Sequence, residues 1–299
     1  MAVLALLWGS AFLWIKVALE HGFSPVEVTV LRCAIGAVTL LVLALGARQR
    51  LPRGRTVWGR LVVAALFCNA LPFALFSIGE QTVDSGVAGV LNATTPLWSL
   101  LIGLLLGSER GLSPARLAGL VLGFGGTALI FAPWQRAGLA SWGALALLAA
   151  AVSYAVAFAY MGRKLAGHGA GSVAVSAAQL LTATGLTASA LPVTGIGAPG
   201  SVDVTGVAAV LILGVLGTGV TFYLNYRLIE DEGPTSAATV GYLLPVVSVG
   251  LGALVLDEAL SPRVIAGMAV VLAGVALTRR ATGAGTPSLA AASGRYCRS

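Results

Sequence analysis

Two stretches of this chain carry the same residues in the same order. Residues Ser85 to Phe131 hold Pro96, then Glu109 thirteen positions on, then Ser113-Pro114, Gly119 and Gly126. Residues Pro234 to Arg279 hold Pro245, Glu258 again thirteen positions on, then Ser261-Pro262, Gly267 and Gly274. The offset is 149 residues before the Ser-Pro pair and 148 after it, so one single-residue gap aligns the two stretches. A repeat of this kind dictates architecture. In a membrane chain, two such copies pack about an approximate two-fold axis and leave a cavity between them near the bilayer midplane.

Composition places the repeats in a membrane. Hydrophobic residues make up 58% of the chain and charged residues 10%, with a mean hydropathy of +0.94, whereas soluble domains carry roughly 25% charge. The 299 residues accommodate about ten spans of roughly 20 residues and leave no room for a soluble catalytic or nucleotide-binding domain. The net charge of +7 does not indicate nucleic acid, because the basic residues are scattered through short loops without aromatic interleaving. Cys33, Cys68 and Cys297 are far apart and odd in number, which supports neither a disulfide framework nor a zinc site. No cofactor is expected. Residues Met1 to Leu19 lack a basic leading segment and a small-residue cleavage pattern, so they read as a retained first helix.

The expected fold class is an all-α integral membrane protein, with ten transmembrane helices arranged as two inverted-topology five-helix repeats. The apolar segments run over 2–19, 26–46, 59–78, 85–106, 114–132, 141–161, 172–191, 204–226, 235–256 and 262–279. Residues 1–133 form the first repeat, 139–280 the second, and 281–299 a Gly-, Ala- and Ser-rich tail expected to be disordered. With a cytoplasmic N-terminus, the inner loops collect Arg48, Arg50, Arg53, Arg55, Arg60, Arg110, Arg116, Arg163, Lys164, Arg227, Arg279, Arg280, Arg295 and Arg298, against only Arg136 and Arg263 outside. That bias sets both termini in the cytoplasm of a bacterial inner membrane. Trp134 and Trp142 flank the outer loop between the halves as interfacial anchors. Five spans per half then invert the second half relative to the first. Thirty-nine glycines fit close helix packing in lipid, with Gly103-x-x-x-Gly107 and Gly119-x-x-x-Gly123 as small faces.

Trp8-Gly9-Ser10-x-Phe12, Lys16, Arg32, Pro96, Glu109, Gly119, Gly126 and their second-half equivalents together resemble the drug/metabolite transporter superfamily, most closely its EamA-type members. The resemblance runs from about Leu4 to Arg280. It implies a ten-helix secondary transporter of small metabolites, often an exporter, working without ATP hydrolysis. One departure is visible. The second half has Ser153-Tyr154-Ala155 in place of Trp8-Gly9-Ser10, and Gln179 where Arg32 would fall, so the central cavity should be chemically lopsided.

Lys16 and Arg32 are the charges placed well inside spans. Arg32 lies about 10 Å into a core roughly 30 Å thick, where an uncompensated cation costs about 2.5–3.5 kcal/mol. It either anchors a carboxylate or phosphate on the substrate or snorkels to Glu20 or Glu27. Lys16 either faces the cavity or pairs with Glu20 one turn away. No carboxylate sits deep in a span, so proton coupling has no support in the sequence. Glu109 and Glu258 read as structural, each satisfying the amino end of the helix that begins at the following Ser-Pro pair. Pro72, Pro96 and Pro245 are candidate hinges, freeing the carbonyls of Cys68, Asn92 and Gly241 beside Asn69, Asn92, Thr94 and Tyr242. The remaining candidate substrate-binding residues are Trp8, Ser10, Trp14, Tyr154, Phe158, Thr218 and Phe222, an aromatic wall with a few hydroxyls. His21 and His168 are expected in solvated loops.

These features point to a non-enzymatic secondary exporter of amino acids or related amphipathic solutes by alternating access, with a small-molecule substrate and the lipid bilayer as partners. A lipid-modifying membrane enzyme is the first rival, yet H-E-x-x-H, G-x-S-x-G and G-x-x-x-x-G-K-[ST] are all absent from the sequence. A membrane scaffold or a channel are the others. Substrate, coupling ion, direction and oligomeric state are not legible.

Overall fold

The computed structural model describes residues 1–107, 114–131, 141–164, 171–191, 202–232, 240–241, 243–258 and 261–283. The described secondary structure is helical throughout. The helices are α1 (Ala2–Gly9), α2 (Ala11–Glu20), α3 (Pro25–Gly46), α4 (Arg55–Ala65), α5 (Leu71–Gly79), α6 (Ser85–Asn92), α7 (Thr95–Leu105) and α8 (Pro114–Phe131). They continue as α9 (Trp142–Lys164), α10 (Ser172–Ala188), α11 (Val204–Gly214), α12 (Thr221–Glu232), α13 (Leu244–Val255) and α14 (Pro262–Gly283). Among the described residues, six helical rods are long and apolar enough to cross a membrane: Ala2–Glu20, Pro25–Gly46, Arg55–Gly79, Ser85–Leu105, Trp142–Met161 and Val204–Asn225. Shorter apolar helices cover Leu117–Gly126, Val173–Ala188, Leu244–Val255 and Pro262–Leu277. The chain is an integral membrane protein.

Lipid is as apolar as a protein core, so these helices segregate by size and polarity more than by hydrophobicity. On α3, Val38, Val42 and Leu45 are exposed as an i, i+4, i+7 stripe, while Cys33, Ala37, Leu40 and Ala44 turn inward beside buried Arg32. The small inward residues let neighbours approach closely. The tightest seam joins α8 and α14. A Cβ on Gly274 would stand 2.5 Å from the Gly123 amide and 2.6 Å from the Gly119 carbonyl, and one on Gly126 would stand 2.8 Å from the Gly267 carbonyl. The glycines repeated in sequence are therefore where backbone meets backbone. Gly107 has a different role: its φ of +63° lies just past the end of α7, with nothing within 4 Å of a notional Cβ.

Helix ends are satisfied locally. Ser24 and Glu27 form a reciprocal capping box around Pro25 at the start of α3, Asp203 Oδ1 accepts from Gly206 N at 2.9 Å at the start of α11, and Ser261 Oγ accepts from Val264 N at 3.3 Å at the start of α14.

The irregularities recur at one spacing. A π-helical turn at Leu66–Ala70 joins α4 to α5, and another at Val215–Val220 joins α11 to α12. Helix α4 begins at Arg55 and α11 at Val204, the π turns begin at Leu66 and Val215, and α7 and α13 begin at Thr95 and Leu244. Each pair is 149 residues apart, the offset of the sequence repeat, so the repetition reaches back from residue 85 to residue 55. In α5, Pro72 lacks an amide hydrogen, and the preceding turn widens so that Leu71 N reaches Leu66 O. The second π turn contains no proline. There Gly219 lies against α3 so closely that a Cβ would stand 2.5 Å from Thr39 Cβ.

Candidate functional site

Two buried polar pairs join elements of the first and second halves of the chain. Arg32 of α3 is 5% exposed, and its Nε donates to Thr218 Oγ1 in the second π turn at 2.9 Å. Its guanidinium carbon lies 3.8 Å from the centroid of the Phe73 ring, a cation–π contact. Thr218 Oγ1 in turn donates to Leu213 O at 3.0 Å. The second pair exchanges the elements: Gln179 Nε2 of α10 donates to Asn69 Oδ1 in the first π turn at 2.6 Å. Asn69 and Thr218 are 149 residues apart, on equivalent turns, and Gln179 is the counterpart of Arg32. One pair thus runs from α3 to the second π turn, and the other from α10 to the first.

These pairs are not saturated. Among the described residues, Asn69 Nδ2 and Gln179 Oε1 are buried without a hydrogen-bond partner. Four of the five donor hydrogens of Arg32 lie on the two terminal nitrogens, beyond the Nε contact, in the fork geometry that suits carboxylate recognition. The helix is widened at each π turn where Asn69 and Thr218 meet the opposite half. The sequence-based alternative in which Arg32 reaches Glu20 or Glu27 is not what forms, since Arg32 points to Thr218 and Glu27 serves the cap of α3. Gln179 and the π turns are site features that sequence reasoning left aside; the alignment of Gln179 with Arg32 was the available signal.

Aromatic residues surround this centre unevenly. Tyr154 and Phe222 pack against the buried cluster that contains Cys33 and Phe73, and Trp8 meets Phe222 at 6.5 Å between centroids. Tyr154 also packs on Phe76 at 6.2 Å. Phe158 stacks on Tyr154 at 6.0 Å but is 50% exposed, so it faces the bundle exterior instead of enclosing a pocket. Trp14 belongs to a different hydrophobic cluster, around Phe12 and Phe76. Ser10 Oγ donates to Leu7 O at 2.9 Å on its own helix. Tyr242 lies outside the described residues. The carbonyl that Pro96 frees at Asn92 does not face a cavity, because Thr95 Oγ1 donates to it at 2.7 Å. Pro245 is buried, and Ser248 Oγ donates to its carbonyl at 3.1 Å. An apolar groove of about 390 Å³ lined by Ala2, Leu6, Leu243 and Val247 sits on the α1–α13 seam and includes none of these polar groups.

A second polar cluster forms at one end of the bundle, where α2 and α5 finish and α6 begins. Lys16 Nζ donates to the carbonyls of Glu80 at 2.9 Å and Val83 at 3.4 Å, not to Glu20. Glu258 crosses from the second repeat to the first: its carboxylate accepts from Ser85 N at 2.7 Å, Gly86 N at 3.1 Å and Ser85 Oγ at 3.1 Å. The expected role as a helix cap is present, but on α6 and not on the helix that follows Ser261-Pro262, which Ser261 caps itself. Glu109 and His168 lie outside the described residues. Partial burial, then the Glu258 charge, push the Asp84 carboxyl above its usual range. Glu80 stands just past the end of α5, within a turn of the loop as the sequence reading has every acid, yet its side chain is fully enclosed and among the described residues both carboxyl oxygens lack a hydrogen-bond partner. Nearby His21 is not simply solvated, since Nδ1 lies 2.8 Å from Asp203 Oδ2. The Gly206 amide, then His21, hold Asp203 below the usual carboxylate range.

Comparison with known proteins follows the same two-part division. The EamA-like transporter family profile matches residues 1–132 and again 141–280. The chain is 30% identical over 258 residues to the uncharacterised Pseudomonas aeruginosa protein PA1977, covering 86% of this chain and 85% of the relative. It is 26% identical over 266 residues to YedA, an uncharacterised inner membrane transporter of Escherichia coli, covering 86% and 82%. A probable terminal-alkyne amino-acid exporter of Streptantibioticus cattleyicolor is 27% identical over 287 residues, covering 92% and 90%. A solved crystal structure superposes with a TM-score of 0.67 at 23% identity, over 95% of this chain and 96% of its own, which shows a shared fold.

Proposed function

Since this chain belongs to the EamA-like transporter family, we propose that it exports amino acids or related small amphipathic solutes by alternating access at the seam between two inverted five-helix repeats. The observation that carries this reading is the exchanged pair of contacts, Arg32 with Thr218 and Gln179 with Asn69. Each ties a regular helix of one repeat to the π turn of the other, and both leave polar capacity unused in a buried place. A substrate carboxylate matches the remaining guanidinium donors of Arg32. Its polar groups match Asn69 Nδ2 and Gln179 Oε1, while Tyr154, Phe222 and Trp8 supply apolar surface. The amino-acid exporter among the relatives supports the substrate class.

The repeats comprise residues 1–133 and 139–280, ten spans in all, with 281–299 as a cytoplasmic tail. The charge bias of the loops sets both termini on the cytoplasmic side of a bacterial inner membrane. Rocking of one repeat against the other exposes the seam to each side in turn. Pro72 and the two π turns are the compliant points, and Pro96 and Pro245 stand in the first turns of α7 and α13.

Counterflow of labelled amino acids into preloaded proteoliposomes tests the reading. Saturable exchange by the wild type that falls at least tenfold in Arg32→Gln, and also in Arg32→Lys, is the expected result, because a point charge does not reproduce a fork stacked on Phe73. Undiminished exchange in both variants would return Arg32 to a structural role.

A further inference from the structure

We propose that Glu80 is a proton-binding site through which transport by this chain is coupled to protons. The inference rests on the transporter reading, and it starts from a contrast between two glutamates at the same end of the bundle. Glu258 accepts three hydrogen bonds from α6, as a structural carboxylate should. Glu80, at the end of α5, is fully buried, and among the described residues neither carboxyl oxygen has a hydrogen-bond partner. A carboxylate removed from water without donors is among the least stable arrangements a folded chain can hold, whereas a neutral acid is tolerated there.

The charges around it come from every side. Lys16 on α2 attracts it, yet its ammonium group is held by the backbone carbonyls of Glu80 and Val83. Arg32 on α3 also attracts it from a distance, but is engaged with Thr218 and Phe73. Glu258 opposes its ionisation from the second repeat, and Asp84 stands four residues on, in the field of Glu258 and Lys16. Helix α9 adds no charge at this contact: Gly143 and Leu147 press against Gly79. Burial outweighs the two cations and favours the protonated form in this closed arrangement.

The closure itself depends on contacts that can separate. Lys16 bridges α2 to the end of α5, and Glu258 bridges the end of α13 to the start of α6. If these ends part, water reaches the carboxyl group. The acid then gives its proton to water, leaving a hydrated carboxylate in the field of the Lys16 ammonium. Reclosure requires the carboxylate to recover a proton from water. One proton is thus released at each opening and recovered at each closing, which links the opening equilibrium to pH, and transport is coupled to protons where release and recovery face opposite sides of the membrane.

Infrared spectroscopy of the reconstituted protein tests this without any substrate. The wild type should show a protonated carboxylic-acid carbonyl band at neutral pH that disappears in Glu80→Gln and persists in Asp84→Asn. Glu80→Asp, which keeps an acid on a shorter stem, should shift the pH at which the band bleaches. Counterflow in the wild type should change at least fivefold across the pH range over which the band titrates, and Glu80→Gln should flatten that profile. Absence of a protonated acid in the wild type at neutral pH, a band that survives in Glu80→Gln, or an unchanged pH profile in Glu80→Gln would each overturn the proposal. Failure of the wild type to exchange any solute would instead fall on the transporter reading, while the band still decides Glu80.

Discussion

Three ionisable side chains, Arg32, Glu80 and Glu258, meet the cost of burial differently, and each difference predicts a measurement. Glu258 receives two backbone amides and a hydroxyl at the amino end of α6, where the helix dipole also favours negative charge. Glu258→Ala should lower stability by about 2 kcal/mol, the worth of charge-assisted hydrogen bonds, seen as reduced thermal stability in detergent. Asp203 is held below the ordinary carboxylate range by the Gly206 amide and His21. A depressed acid contributes stability above its unfolded value, about 3.9, and loses it as pH falls through the folded value. The stability difference between wild type and Asp203→Asn should therefore shrink below about pH 4, as an acid titration of unfolding would show. Arg32 was legible as a cation inside a span; its partner was not, because Thr218 is 186 residues away and only the fold brings them together. Glu80 was missed for a related reason: its place at the end of an apolar run does not reveal that the bundle closes over it.

At the scale of elements, the seam between α8 and α14 carries the clearest prediction. Gly274 has no room for a Cβ against the Gly119 and Gly123 backbone, whereas Gly125, on the same helix as Gly123, has nothing within 4 Å. Gly274→Val should destabilise by at least about 3 kcal/mol because backbone must move. Gly125→Ala should change stability by no more than about 1 kcal/mol, and in the stabilising direction, through helix propensity. Thermal unfolding of the two variants in detergent checks both. The small-residue seam was readable from repeated glycines, and the first π turn is accountable from Pro72. The second π turn was not readable, since no proline marks Val215–Val220 and its cause is close packing of Gly219 on Thr39. The Asn92 carbonyl shows the opposite error: Pro96 does free it, and the neighbouring Thr95 hydroxyl takes it up.

At the scale of the whole molecule, the two halves are tied by exchange. The α3 cation meets the second π turn, the α10 amide meets the first, and Glu258 of the second half caps α6 of the first. The sequence repeat gave the offset of 149 over one stretch, and the helix starts extend that offset back to residues 55 and 204. The lopsided centre was also foreseeable, from Gln179 standing where Arg32 would fall. Its consequence is that one side of the seam offers a charged fork and the other a neutral amide pair, a polarity suited to a solute with one anionic end. The most direct measurement places a thiol at that seam: Thr218→Cys in a background where Cys33, Cys68 and Cys297 are replaced by Ser, in vesicles of known orientation. A membrane-impermeant thiol reagent should modify residue 218 from either face, and a transported solute should slow both reactions. Modification from one face only, or from neither, would contradict alternating access at the contact between Arg32 and Thr218.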